Sequence, residues 1–238
     1  MRTLAIVPIK SLANAKQRLA KTLAGGSRRS LVQAMFSDVL GGLRRTEGID
    51  AVAVVTDDVV ADSLARGDRV VVLPDGREAG QSQATEVGIA YAREQGYERV
   101  LLVPGDTPLL NPVEIEELLM RCARDEVGVA VVPDRHGTGT NALLIAPPGA
   151  FPPSFGPDSL ERHLAHARDG GLVHRVEHVP SLALDIDTPS DLAALWTVVD
   201  ESRRGAQRTR GALSQLDRSG VRAAMAGGPA GSGHTVEA

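Results

Sequence analysis

Apolar residues along this chain fall into two alternating patterns, short runs and longer periodic stretches. The runs are Leu4–Ile9, Ala51–Val55, Arg69–Leu73, Val100–Val103, Val127–Val132, Ala142–Ala146, Leu172–Val179 and Leu182–Ile186. Most are dominated by Val, Ile, Leu and Ala, and most end at Pro or Asp, which predicts strands buried on both faces. Between them apolar residues recur every three or four positions. Leu31, Met35, Val39 and Leu43, with Val32, Phe36 and Leu40 beside them, mark one helical face. The break Gly25-Gly26-Ser27 ahead of them makes Ser27 the expected N-cap. Further helices are predicted after Asp58, over Gly80–Gln95, over Pro112–Cys122 with Pro112 in the first turn, over Asp158–Arg168 and over Pro189–Val199. Strand and helix alternate throughout, so the expected fold is α/β: a single-domain three-layer sandwich with a mostly parallel sheet.

The pattern thins after residue 200. Residues 201–238 are rich in Arg, Ala, Gly and Ser, and Leu213, Leu216 and Val221 are spaced for no more than a short amphipathic turn. The expectation is one domain over 1–200 followed by a disordered tail over 201–238.

Composition narrows the function. Aromatic residues make up 3% of the chain, so the core is aliphatic, and the interleaved aromatic and basic residues that stack nucleic-acid bases are missing. Nucleic acid is therefore not an expected partner. The net charge of -4 is unevenly spread: no acidic residue precedes Asp38, whereas Lys10, Lys16, Arg18, Lys21, Arg28 and Arg29 all do. A basic segment on an acidic protein points to a small polyanionic ligand. The single cysteine, Cys122, excludes an internal disulfide and fits a reducing compartment. No run approaches the roughly 18 apolar residues of a membrane span, and Lys10 interrupts the first apolar run too early for a signal peptide. A cytoplasmic protein without a membrane partner is expected.

Four segments carry candidate chemistry. Pro104-Gly105 stops the Val100 strand and Asp106 follows directly. Asp106 is either the first residue of a turn ahead of Thr107-Pro108 or a carboxylate aimed into the crevice beyond the strand ends, where open α/β sheets bind ligands. Lys10, Lys16 and Arg18 follow the first strand and so share that sheet edge. They read either as a solvated helical face or as cations that hold a triphosphate and neutralise a departing pyrophosphate. The segment is not a Walker loop, because the glycine spacing and the terminal Gly-Lys-Ser/Thr are lacking. In Asp185-Ile-Asp187-Thr188-Pro189 the two carboxylates stand at i and i+2, which on a strand aims both the same way. Thr188, Pro189 and Asp191 are explained as a helix cap. Asp185 and Asp187 are not, and with Asp106 they would form an all-oxygen site suited to Mg²⁺. Finally, Gly137-Thr-Gly-Thr140-Asn141 and Gly156-Pro-Asp-Ser159 offer free amides and hydroxyls for a small anion. The alternative is a hairpin loop plus a cap formed by Asp158 with Glu161. His163 and His166 lack the i, i+4 spacing of a helical zinc pair and, with His174 and His178, are expected at the surface. Cys122 is expected in the core.

Taken in order, Val7-Pro8-Ile-Lys10, Ala15-Lys16-Gln-Arg18-Leu19, Val103-Pro104-Gly-Asp106-Thr-Pro108, Gly137–Asn141, Gly156–Ser159 and Asp185–Pro189 resemble the guanylyltransferases of coenzyme F-420 (deazaflavin) biosynthesis. That family acts on phosphoenolpyruvate or 2-phospho-L-lactate, and the resemblance spans residues 1–199. It implies a nucleotidyltransferase fold of the glycosyltransferase-A type, GTP as donor, Mg²⁺ as cofactor and a downstream deazaflavin acceptor enzyme as a partner. Carried over residue by residue, it assigns the nucleotide to Pro8, Lys10, Lys16, Arg18, Ser82 and Pro104, and metal to Asp106, Asp185 and Asp187. The phosphorylated acceptor falls to Thr140, Gly156 and Ser159, and catalysis to Lys16, Arg18 and Asp106. One position departs from the family: Ser82, within Gly80-Gln-Ser-Gln-Ala84, stands where Asn is usual. The implied reaction moves GMP from GTP to phosphoenolpyruvate and releases pyrophosphate. The Arg-, Ala- and Gly-rich composition places phosphoenolpyruvate ahead of 2-phospho-L-lactate. Sugar-nucleotide and molybdopterin nucleotidyltransferases are a poorer match, since the Arg-x-Gly-x-Asp-Lys run they usually carry is absent.

Overall fold

The computed structural model describes residues 1–226 except 13, 68, 76–80 and 203–204. Seven strands, β1 (Thr3–Pro8), β2 (Ala51–Val55), β3 (Val70–Leu73), β4 (Arg99–Leu102), β5 (Val129–Pro133), β6 (Thr140–Ile145) and β7 (His174–Val176), form one sheet in the order β3-β2-β1-β4-β6-β5-β7. Only β6 runs antiparallel to its neighbours β4 and β5. The helices are α1 (Gly25–Arg45), α2 (Val59–Ala65), α3 (Gln81–Glu94), α4 (Pro112–Arg124), α5 (Ser159–Asp169), α6 (Pro189–Glu201), α7 (Gln207–Arg218) and α8 (Val221–Ala226), with 3₁₀ turns at Gln17–Lys21 and Pro180–Leu182.

Strand alternation divides the interior into two cores. Ala5 and Val7 of β1 face α1, α2, α4, α6 and α7, while Leu4 and Ile6 face α3 and α5. All four are fully buried, as the unbroken run of apolar residues requires. This is the expected three-layer α/β sandwich with a mostly parallel sheet. Packing of α3 on β1 is close enough that a Cβ on Gly88 would come within 2.6 Å of Ile6.

Three expectations are corrected. The run Leu182–Ile186 is not a strand: a 3₁₀ turn ends at Leu182 and the next five residues have no regular hydrogen bonding. Its alternating Leu182, Leu184 and Ile186 are buried all the same, in the core beneath α6. Helix α1 begins three residues early, at Gly25, and is capped by Ala24 without a side-chain bond, so Ser27 is not its N-cap. The tail is not disordered over 207–226. Helix α7 buries Leu213 and Leu216 against α1, and the Asp38 carboxylate of α1 accepts the first-turn amides of Arg208 and Thr209 at 3.2 and 2.7 Å. The folded unit therefore extends past residue 200; residues 227–238 lie outside the described residues. Among the described residues no helix is long and apolar enough to cross a membrane.

Candidate active site

The chain runs from β1 outward through β2 to β3, then returns to the other side of β1 as β4. The strand order reverses between β1 and β4, and at such a switch point the connections leave a crevice beyond the carboxyl ends of the two strands. Two of the candidate segments start there. Pro8 ends β1 and leads into Lys10 and Lys16, while Pro104-Gly105-Asp106 follows β4. A cavity of about 540 Å³ opens between them, lined among others by Pro8, Lys10, Lys16, Pro104, Asp106 and Asp187. Ser11 and Asn14, which the sequence does not single out, add polar atoms to its wall.

The loop after β1 is held by Asp58. Its Oδ1 accepts the amides of Val60 and Ala61 at 2.9 Å as the cap of α2, and its Oδ2 accepts the Leu12 amide at 3.0 Å. Leu12 is buried, so the loop is fixed from both sides. Gly105 is tightly packed on the opposite wall: a Cβ there would meet the tip of the Ile9 side chain and press on Phe36, so Ile9 would have to shift to admit it.

Lys16 is the centre of the site. It sits in the left-handed region at φ 58°, ψ 44°, a conformation that costs a non-glycine residue on the order of 1 kcal/mol. Its ammonium donates to Asp106 Oδ2 and, at 2.5 Å, to Asp187 Oδ1. Burial pulls the Lys16 pKa down, but the charges of Asp106 and Asp187 together outweigh it and hold the pKa above the ordinary lysine value. The group is a fixed cation. Asp106 is left with a buried Oδ1 that has no partner among the described residues. Asp185 lies close enough to feel both other carboxylates: burial, then Asp106 and Asp187, raise its pKa, against a weak donation from Asn141 Nδ2 at 3.4 Å.

A hard divalent cation fits the chemistry of this donor set, which is all carboxylate oxygen and includes the orphaned Oδ1 of Asp106. Among the described residues, however, no three carboxylates, histidines or cysteines converge on a single cation position. The Lys16 ammonium lies between Asp106 and Asp187 instead. Because Leu182–Ile186 is not a strand, the juxtaposition of Asp185 and Asp187 does not come from strand pleating. It comes from an extended segment pinned by the cap of α6, where the Asp191 carboxylate accepts the amides of Asp187 and Thr188 at 3.0 and 2.7 Å.

The second pair of loops forms a neighbouring wall. Leu160 donates its amide to Thr138 O at 3.1 Å, which ties the start of α5 to the 137–141 loop. Gly156 takes φ 114°, and the Ser159 amide donates back to Gly156 O at 3.2 Å. Gly156 and Ser159 thus share one turn, and Thr140 is tied to the same helix through its bond to His163. Asn141 connects this wall to the carboxylates, donating to Leu182 O at 2.8 Å and to Asp185. Asp158 has a left-handed backbone and makes no side-chain cap, so the alternative reading of a cap formed by Asp158 with Glu161 does not hold.

Two nucleotide-side residues are placed differently from Lys10 and Lys16. Arg18 lies exposed on the 3₁₀ turn and does not line the cavity. Ser82, in the first turn of α3, accepts the Phe155 amide at 3.3 Å and so faces the acceptor-side loop. Gly80 lies outside the described residues.

His163 is a correction. Expected at the surface, it is fully buried, bonded to Thr140 Oγ1 at 3.0 Å and to the Ser154 amide at 2.9 Å. Burial is the main cause that brings its pKa down to about 4. The signal was the spacing of Ser159, His163 and Ala167, which lie on one helical stripe and are all buried. His166 and His174 are half-buried and His178 is exposed. Cys122 is in the core.

An α/β sheet with a cationic, carboxylate-lined crevice at its switch point defines a nucleotidyltransferase-type protein, and known structures agree on the fold. A Desulfovibrio desulfuricans protein assigned to the nucleotide-diphospho-sugar transferases superposes with a TM-score of 0.73 at 19% identity, over 94% of this chain and 98% of its own. The family model for "Guanylyl transferase CofC like" matches residues 3–204, and the chain belongs to that guanylyltransferase family. A phosphoenolpyruvate guanylyltransferase of Conexibacter woesei is 49% identical over 92% of this chain and 98% of its own length. The corresponding protein of Sphaerobacter thermophilus is 40% identical over 82% and 93%. A 2-phospho-L-lactate guanylyltransferase of Methanothermobacter thermautotrophicus is 32% identical over 82% and 84%.

Proposed function

We propose that this enzyme transfers GMP from GTP to phosphoenolpyruvate with release of pyrophosphate. The observation that carries the reading is the Lys16 cation between Asp106 and Asp187, in a crevice of about 540 Å³ at the switch point of the sheet. Family membership supplies the guanylyl group, and the most similar of the relatives described above points to phosphoenolpyruvate as acceptor.

In this reading GTP lies along the β1 side, with Pro8, Pro104 and Ser82 bordering the nucleoside and Lys10, Lys16 and Arg18 meeting the phosphates. A divalent cation such as Mg²⁺, held by Asp106, Asp185 and Asp187, would neutralise phosphate charge and polarise the α-phosphate when bound. Lys16 then turns from the carboxylates to the triphosphate and stabilises the leaving pyrophosphate. Arg18, exposed on the 3₁₀ turn outside the cavity, is assigned to the same phosphates through family membership. Thr140, Gly156 and Ser159 hold the acceptor so that its phosphate oxygen lines up with the α-phosphorus. That oxygen attacks, the bond to the bridging oxygen breaks, and a diphosphate-bridged product forms. A phosphate monoester has its second pKa near ~6 and is already largely dianionic at neutral pH, so no protein base is needed. The buried, neutral His163 is consistent with this.

A second acceptor, 2-phospho-L-lactate, is kept because a relative of that name also matches over most of this chain. The two acids share a phosphate and a carboxylate on three carbons and differ in the planarity of one carbon. Pyrophosphate release from GTP and Mg²⁺, measured with each acid in turn, separates them. Faster release with phosphoenolpyruvate is expected; release with 2-phospho-L-lactate alone would transfer the assignment. We place the reaction in the cytoplasm, upstream of an enzyme that passes the activated acid to a deazaflavin.

A further inference from the structure

We propose that His163 is a positioning residue of the acceptor pocket: it holds Thr140 so that its hydroxyl hydrogen must be donated to the acceptor's anionic oxygens. The inference rests on the reading of Thr140 as an acceptor-binding residue. It starts from hydrogen-bond direction. The Ser154 amide can only donate, and it points at His163 Nε2 at 2.9 Å, so Nε2 is an acceptor and carries no proton. In a neutral imidazole the proton is then on Nδ1, which donates to Thr140 Oγ1 at 3.0 Å. One lone pair of Oγ1 is occupied and the Thr140 hydrogen is directed away from the ring. A hydroxyl fixed in this way presents a donor to an anion, whereas a free one would lose that orientation each time it rotated.

The ring is well held for the task. It is fully buried, with Phe155 edge-on at 5.2 Å and Phe151 at 6.1 Å between centroids. Its neighbour Arg162 donates to the Ser154 hydroxyl and carbonyl at 3.1 Å and to the Pro157 carbonyl. Both residues therefore anchor the 154–157 loop that leads into Gly156 and Ser159, and His163 couples that loop to Thr140. One imidazole sets the geometry of both halves of the acceptor wall.

Two measurements test this. In ¹⁵N-labelled wild-type protein, long-range ¹H–¹⁵N spectra should show His163 as the Nδ1–H tautomer at neutral pH; an Nε2–H tautomer would overturn the proposal. In kinetics, His163→Gln keeps an acceptor oxygen near the position of Nε2 but loses the donor at Nδ1, while His163→Asn keeps a donor near Nδ1. We expect H163Q to raise the acceptor KM about tenfold with the GTP KM unchanged, the effect of losing one hydrogen bond to a charged group. H163N should stay within about threefold of wild type. In Thr140→Ala the acceptor KM should rise similarly, and adding H163Q should change nothing more. A T140A enzyme with a normal acceptor KM would remove Thr140 from the acceptor site and this inference with it. If T140A is impaired while H163Q is normal, or the two effects add, the acceptor site stands and the role of His163 is overturned.

Discussion

Lys16 shows how much of this site is decided by single side chains. A lysine with 9% of its side chain exposed is unfavourable unless it is paired, and here one ammonium satisfies two carboxylates that would otherwise repel. Lys16→Met should therefore destabilise the metal-free protein by about 2 kcal/mol, less than for a fully buried pair because Asp187 is half exposed. Mg²⁺ should raise the melting temperature of that variant more than it raises the wild type's, since the vacated position lies between two free carboxylates. Equal Mg²⁺ shifts would contradict the shared position. His163 sets a second test at this scale. Its folded-state pKa, about 4, is below the ordinary 6.5, so between these values the unfolded chain binds a proton that the folded chain does not. Stability should fall as pH drops from 6.5 towards 4, by on the order of 2–3 kcal/mol. Wild type and H163N compared by denaturant unfolding at pH 7 and pH 5 should show the wild type losing more. The charged residues were legible in the sequence because unpaired carboxylates and a run of cations need an explanation. His163 was not, since a histidine on an amphipathic helix looks alike whether its stripe faces water or a second loop.

At the level of elements, strands and helices were legible where burial is complete and the period unambiguous. Ala51–Val55 was expected and found with the same ends, because a five-residue branched run flanked by polar residues has no competing solution. Leu182–Ile186 shows the opposite: its alternation satisfies the strand period, but the cap of α6 takes the backbone of Asp187 and Thr188. A local cap outweighed a two-residue period. The tail was not legible as folded because its apolar residues are too sparse over 201–238 to form a core of their own. Only two leucines were needed, once α1 offered both a groove and the Asp38 carboxylate to cap α7. Leu213→Ala should cost about 2–4 kcal/mol, as for other buried leucines, measured by urea unfolding. A cost near zero would mean that α7 contributes nothing to the fold.

For the whole molecule, sheet order does what no single motif can. The reversal between β1 and β4 brings Lys10 and Lys16 opposite Asp106, some 90 residues later in the chain, and the cap of α6 adds Asp187. The sequence already put the cations on the sheet edge of Asp106 and grouped Asp185 and Asp187 with it; that Lys16 lies between Asp106 and Asp187 was not legible, because it depends on the strand order and on the cap of α6. The central claim is that an acceptor phosphate attacks the α-phosphorus of GTP in that crevice. It is tested most directly by parallel reactions with α-labelled and γ-labelled GTP, Mg²⁺ and phosphoenolpyruvate. The α-label should appear in the acid-linked product and the γ-label in pyrophosphate, in equal amounts. Label from the γ-position in the product, or γ-label released as inorganic phosphate, would contradict the account.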